Sequence, residues 1–243
     1  MDWSRAAGFE NIGMDLIYSV PGQTLRQWEE NLRTAVDLAP QHIAAYSLIV
    51  EDRTPLAQMV EAGEVHRNPA DREAVMYERT MDLLGAHGYE QYEVSNYAMP
   101  GFRCWHNCAY WSHEDYLGFG PSAHSFRKPD EFRRGRRWWN VSDLSAYTDL
   151  LSHGVLPVAS EEDLGPRELV HERILLGLRS GGLDLARLSA DLAYDLPHRQ
   201  ERMMRWMIEE GLATQVEQRL RLTRKGYMLC DEISARLARD VSL

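Results

Sequence analysis

The chain has 243 residues, 44% apolar and 26% charged, which is globular usage and enough for one large domain or a medium one with a small one. Its formal charge of −10, from 27 Lys plus Arg against 37 Asp plus Glu, argues against a general binder of nucleic acid or anionic membrane. No apolar run approaches the roughly 20 residues of a membrane-spanning helix, no secretory signal opens the chain, and three cysteines are too few for a disulfide framework. The expected address is therefore cytoplasmic, without stable membrane insertion.

Trp3 to Gly8 reads as the last turns of a helix, with Gly8 as its stop. Ile12 to Tyr18 is β-prone, Pro21-Gly22 makes a turn, and Thr24 caps a helix with Leu25, Trp28, Leu32, Ala35, Val36 and Ala39 at helical spacing. Pro40 ends it. His42 to Val50 is nearly continuous in apolar residues, the pattern of a strand buried on both faces, so the unit reads as βαβ with parallel strands. A further helix follows, with Asn68 as cap, Pro69 at its first position and Gly88 as its stop, and then a strand from Tyr89 to Tyr97. A parallel strand at Ile12 to Tyr18 needs a neighbour on each side, so a bare edge there calls for preceding chain, a partner or a second copy to cover it. Met99 to Trp139 reads as an aromatic, Gly-rich loop with a short helix near Cys104 to Trp111. Ser142 caps a helix to His153, and Pro157 to Gly165 reads as a linker. The expected division is thus 1–157 and 158–243. The second part has helices at 166–179, 184–193 and 197–210, a ribbon over Leu212 to Leu222 and a final helix from Thr223, the order of a winged helix.

Four groups could carry chemistry. Asp15 lies inside an apolar strand before the turn at Pro21 to Thr24, where α/β sheets bind ligands and a carboxylate can accept both hydroxyls of a ribose; capping a neighbouring loop is the alternative. Cys104, His106 and Cys108, with Trp105, Asn107, Tyr110, Trp111 and His113 beside them, suggest a metal, but a zinc ribbon's second half is missing. An imidazole among exposed aromatics also suits a haem macrocycle, and a packed aromatic loop explains the same residues. Gly118 to Ser125 either lets backbone approach a ligand or forms a tight turn. Finally Arg127, Lys128, Arg133, Arg134, Arg136, Arg137, Trp138 and Trp139 could bind phosphates, bases or porphyrin propionates, with solvated charge as the commoner explanation. The winged-helix order raises a nucleic-acid reading, yet residues 160–243 carry slightly more acidic than basic side chains, unlike a DNA reader.

The segments GMDLIYSVPGQT, YEVSNYAMPG, HNCAYW, GFGPSAHS and RRWWN resemble consecutive motifs of one radical S-adenosylmethionine (SAM) family. It contains oxygen-independent coproporphyrinogen III oxidase (HemN), an oxidoreductase, and the HemW-type haem chaperone. HN-x2-YW followed by G-x-GPSAHS is more similar to the chaperone branch. The resemblance implies an α/β fold, the C-terminal half of a partial (β/α)6 barrel followed by a small, mainly helical, winged-helix-like domain. It implies SAM and a [4Fe–4S] cluster as family cofactors, but the Cys-x3-Cys-x2-Cys that holds the cluster has no match here, so metal ligands for it are not expected in this chain. Asp15 matches the position that binds the SAM ribose, Ile17 falls beside it, and the strand around Ala44 to Tyr46, with Ala45 at its centre, matches the one lining the adenine. His106, Asn107, Tyr110 and Trp111 match the motif on the haem or substrate side, with direct iron ligation by His106 as a hypothesis. No catalytic residue is assigned.

Three functions follow as expectations. The first is a HemW-like haem chaperone or coproporphyrinogen-oxidase-like protein represented by its C-terminal part and unable to cleave SAM alone, with haem or porphyrin and a haem-recipient protein as partners. The second is a haem or porphyrin carrier without the cluster. The third is a winged-helix nucleic-acid binder.

Overall fold

The computed structural model describes residues 1–129, 134–239 and 241; the expectation for Arg133 lies outside them. The chain forms two compact units, Met1–Cys104 and Trp105–Leu243.

In the first unit, α1 (Asp2–Ala6) precedes Gly8, whose φ of +90° suits the residue without a Cβ. The apolar segment β1 (Gly13–Tyr18) leads to α2 (Leu25–Asp37). Thr24 starts that helix with a capping box, its hydroxyl accepting from the Gln27 N–H while the Gln27 side chain accepts from the Thr24 N–H. Next come β2 (His42–Ser47), α3 (Pro55–Glu61), α4 (Ala70–Ala86), β3 (Glu90–Gln91) and β4 (Asn96–Ala98). The sheet runs β1-β2-β4-β3 with β1 at its edge. β1 and β2 are parallel, as βαβ requires, whereas β4 is antiparallel to both β2 and β3. The sheet is therefore mixed, and the single strand expected over Tyr89 to Tyr97 is a short hairpin. Its turn is made by buried Glu93, whose carboxylate accepts from the Ser95 N–H and the Asn96 amide.

Trp28 and Leu32 of α2 pack with Met76 and Leu84 of α4 under one face of this sheet, all nearly inaccessible. The Trp28 indole donates to Thr80 Oγ1 at 2.9 Å, so the largest core residue keeps its polar atom satisfied. The cap of α4 differs from expectation: Pro69 occupies it, and Asn68 instead donates to the Val20 carbonyl at 3.0 Å, tying the turn after β1 to α4. α3, which the apolar periodicity did not reveal, starts at Thr54-Pro55 by the same capping chemistry.

The second unit opens with α5 (Trp105–Trp111) and continues as β5 (His124–Arg127), β6 (Gly135–Asn140), α6 (Leu144–Ser152) and β7 (Val158–Leu164). β5-β6-β7 is an antiparallel sheet. The expected loop from Met99 to Trp139 thus contains two strands, and the segment read as a linker is the third. Val158 to Asp163 is an exposed edge whose acidic residues lie opposite Arg136 and Arg137, so its polarity reflects cross-strand pairing rather than a free tether. The side-chain cap of α6 is Asp143, one residue beyond Ser142. α7 (Pro166–Arg179), β8 (Leu183–Asp184) and α8 (Leu185–Leu192) follow. The helix expected over 197–210 divides into α9 (Leu196–Arg199) and α10 (Glu201–Glu209) at Gln200. β9 (Ala213–Val216), β10 (Arg219–Leu222), α11 (Arg224–Tyr227) and α12 (Cys230–Arg239) complete the unit.

The core of this unit runs without interruption from Phe126 and Leu164 on the sheet through Leu169, Ile174 and Leu178 of α7 to Ile233 and Leu237 of α12. Ion pairs reinforce it. Glu172 on α7 accepts from His113 Nε2 at 3.0 Å and from Arg137 on β6 at 2.7 Å. Glu114 accepts from Lys128 at 3.0 Å and from Arg187 on α8 at 3.1 Å. Among the described residues no helix is long and apolar enough to cross a membrane.

Candidate functional site

Part of one face of the first unit's sheet is open to solvent at Asp15, Ile17 and Tyr46. The parallel register sets Asp15 beside Ala44 and Ile17 beside Tyr46, and alternation directs these four to the same face. Ile17 is 54% and Tyr46 41% exposed, and Asp15 is exposed between them and the strand starts. This face combines a carboxylate with an apolar and aromatic platform one pair further along the strands. Burial pushes the Tyr46 phenol up, with Asn96 pulling the other way and Asp15, Glu93 and Cys104 adding to the rise. Burial likewise pulls the His42 imidazole down against the charge of Asp15; its Nε2 shares a hydrogen with the Tyr92 hydroxyl at 2.8 Å. Ala45 differs from Asp15 and Ile17. It pairs with Leu16, is buried at 2% exposure on the helix-covered side, and donates its N–H to the Ser95 carbonyl.

At the C-terminal ends of β1 and β2 lies a cluster that sequence spacing did not suggest. Glu73, in the first turn of α4, accepts from Ser47 Oγ at 2.5 Å and from Ser19 Oγ at 3.5 Å. Ser19 holds a left-handed φ of 62°, so the helix start fixes both strand exits.

In the second unit, α5 carries the His106, Asn107, Tyr110 and Trp111 set. Helical spacing pairs His106 with Tyr110 and Asn107 with Trp111. The first pair, with Trp105 at 87% exposure, faces solvent; the second is half-buried. The Trp111 indole N–H is buried without a hydrogen-bond partner, and its ring meets Tyr110 edge-on at 5.5 Å. Tyr110 in turn approaches Tyr116 at 5.6 Å. The described residues contain no group of three His, Cys, Asp or Glu that could hold a metal ion. Cys104 and Cys108 are half-buried and unbridged, and Cys230 is buried.

Tyr116 leads into the Gly118 to Ser125 turn. Gly118 donates to Ser125 Oγ at 2.9 Å, the Asn140 amide donates to the Gly118 and Gly120 carbonyls at 3.3 and 2.9 Å, and Gly120 donates to the Tyr147 hydroxyl at 3.0 Å. A Cβ on Gly118 would sit 2.1 Å from the His124 carbonyl oxygen, so only glycine fits there. The clamp presents Leu117 at 67% and Phe119 at 85% exposure. His124, at the foot of β5, stacks on Trp139 with centroids 5.5 Å apart and planes 28° off parallel. Ser125 belongs to the Gly118 to Ser125 group read from the sequence, whereas Asn140 entered only as the end of the RRWWN string and Tyr147 had no sequence signal. In the basic stretch, Arg136 pairs with Glu161 and Arg137 with both Glu162 and Glu172, so these guanidiniums are committed within the unit.

Known proteins match both parts of this picture. The family model of the HemN C-terminal domain matches residues 164–229. The haem chaperone HemW of Bacillus subtilis is 36% identical over 231 residues, covering 95% of this chain and 59% of that protein. The HemW of Mycobacterium tuberculosis H37Rv is 36% identical over 229 residues, covering 94% and 55%. Among solved structures, Escherichia coli coproporphyrinogen III oxidase (HemN), a radical SAM enzyme, superposes with a TM-score of 0.72 at 17% identity, covering 98% of this chain and 57% of that one. The chain therefore spans a little over half the length of these relatives. Its α/β architecture with mixed sheets is a C-terminal portion of the HemN fold. The chain is thus similar along nearly its whole length to the C-terminal part of HemW proteins, and residues 164–229 are similar to the HemN C-terminal domain.

Proposed function

We propose that this chain is the haem-handling, C-terminal part of a HemW-like chaperone acting in the cytoplasm, and that it binds haem through the second unit. The observation that carries the reading is the exposed α5 face: Trp105, His106 and Tyr110 stand in solvent on a helix from a HemW-like segment. An exposed imidazole flanked by aromatic rings is the chemistry that coordinates and covers a flat iron macrocycle. A haem-recipient protein would complete the reaction, and a copy or partner chain along the β1 edge would cover its unpaired groups.

The open face of the first unit fits the adenosyl part of SAM. Asp15 would accept from the ribose hydroxyls and Ile17 would cover the base, while Ala45, buried on the opposite side with its N–H bonded to the Ser95 carbonyl, would only support the strand beneath them. The chain's cysteines do not fit a [4Fe–4S] cluster, since no metal-holding group of three forms among the described residues, and no SAM cleavage is ascribed to them. We assign the family's C-terminal domain to 158–243, around the matched residues 164–229. Titration of the purified chain with hemin tests the proposal. Saturable binding near one equivalent, weakened by His106→Ala, supports it; spectra indistinguishable from hemin with an unrelated acidic protein refute it.

A further inference from the structure

We propose that His124 is a second haem-iron ligand, held in place by Trp139 and flanked by the clamped Leu117 to Gly120 turn. This inference rests on the haem-binding reading above and adds a ligand to it. Three features of the second unit carry it. First, the His124 side chain is exposed and makes no hydrogen bond among the described residues, so a ring nitrogen can face an iron. Second, its orientation is fixed. The ring stacks on Trp139, its direct cross-strand neighbour, and its backbone lies so close to Gly118 that no Cβ fits between them. A ligand oriented before binding loses little freedom when it coordinates.

Third, the adjoining surface is built to meet something apolar. An exposed Phe on a flexible loop gains nothing from being held rigid. Here Phe119 and Leu117 are presented by a turn restrained by four hydrogen bonds, two of them from the buried Asn140. Buried polar side chains spent on fixing an exposed aromatic are the mark of a pre-organised contact. A flat, largely apolar macrocycle with a central metal ion uses both elements at once: the imidazole through the iron, and the Phe119 and Leu117 side chains against the ring.

The test uses the full chain, hemin as probe, and optical spectra with binding isotherms. In the wild type, ferric haem shows the bands of nitrogen ligation. His124→Ala shifts those bands and raises Kd by about tenfold, the loss of about 1.4 kcal/mol, and added imidazole restores the wild-type bands by occupying the vacated position. Phe119→Ser, at a solvent-exposed position, raises Kd about threefold with the ligation bands unchanged. Circular dichroism of each variant separates loss of fold from loss of ligand. Wild-type binding with His124→Ala unchanged in spectrum and affinity overturns this inference and leaves the haem reading standing. A spectral loss that imidazole does not restore also overturns it. Absence of haem binding by the wild type overturns the reading on which it rests.

Discussion

Replacing Glu172 by Ala tests whether the aromatic segment and the helical tail are one cooperative body. The Glu172 carboxylate lies between the His113 imidazole and the Arg137 guanidinium, and both ion-pair side chains from α7 and β6 are only 23% exposed. His113 is 4% exposed and stacked on Phe126 at 4.4 Å, and its Nδ1 has no partner. Glu172→Ala therefore strands a buried imidazole with neither nitrogen bonded and leaves Arg137 to Glu162 alone. Breaking a fully buried pair costs about 3–5 kcal/mol; with partial exposure and the surviving Glu162 bond, about 2–3 kcal/mol is expected. Guanidinium denaturation followed by circular dichroism should show that loss, and the thermal midpoint should fall by roughly 5–10 °C. The charge also makes a pH signature. Burial pushes the Glu172 carboxyl up, but hydrogen bonds from His113 and Arg137, with the Arg137 charge, outweigh it and leave it below the usual carboxylate value. A depressed folded pKa stabilises fully above the unfolded value, about pH 4.3, and the contribution is lost as pH falls through the folded one. Glu172→Gln should flatten this acid limb. A Glu172→Ala protein within about 0.5 kcal/mol of wild type would refute the coupling.

Further variants address other joints. Gly226→Ala should cost more than about 3 kcal/mol by chemical denaturation, because the added Cβ would sit 2.0 Å from the Leu212 carbonyl oxygen. Thr24→Ala removes the capping box of α2 and should cost about 1 kcal/mol in the same assay. Asn140→Leu leaves the Gly118 and Gly120 carbonyls without their donor; about 2 kcal/mol of lost stability and weaker hemin binding are expected. The wild-type chain should bind S-adenosylhomocysteine in equilibrium dialysis, and Asp15→Asn should weaken that binding while leaving hemin binding unchanged.

What could be read in advance followed from local chemistry. The Thr24 cap, the parallel βαβ and the bounds of α7 come from caps and periodicity within one segment, whereas the reciprocal bond from Gln27 emerged only in the structure. The strands at His124 to Arg127 and Gly135 to Asn140 were hidden because their alternation mixes Arg, Trp and His, and their stabilising partners lie on β7 and α7. Val158 to Leu164 looked like a linker for the same reason: its acidic residues acquire meaning only opposite Arg136 and Arg137. In the candidate site, Asp15 and Ile17 share a face by simple alternation. Ala45 falls on the other face by the same rule, which the motif resemblance did not convey. The clamp on Gly118 to Gly120 needs Asn140 and Tyr147 from distant sequence, so no local pattern announces it.

The most direct test of the account is a hemin titration of the 243-residue chain beside His106→Ala and His124→Ala. The account predicts saturable binding near one equivalent by the wild type and weaker binding with altered ligation bands in the variants. Hemin spectra and affinity that are the same for all three proteins and for an unrelated acidic protein would contradict it.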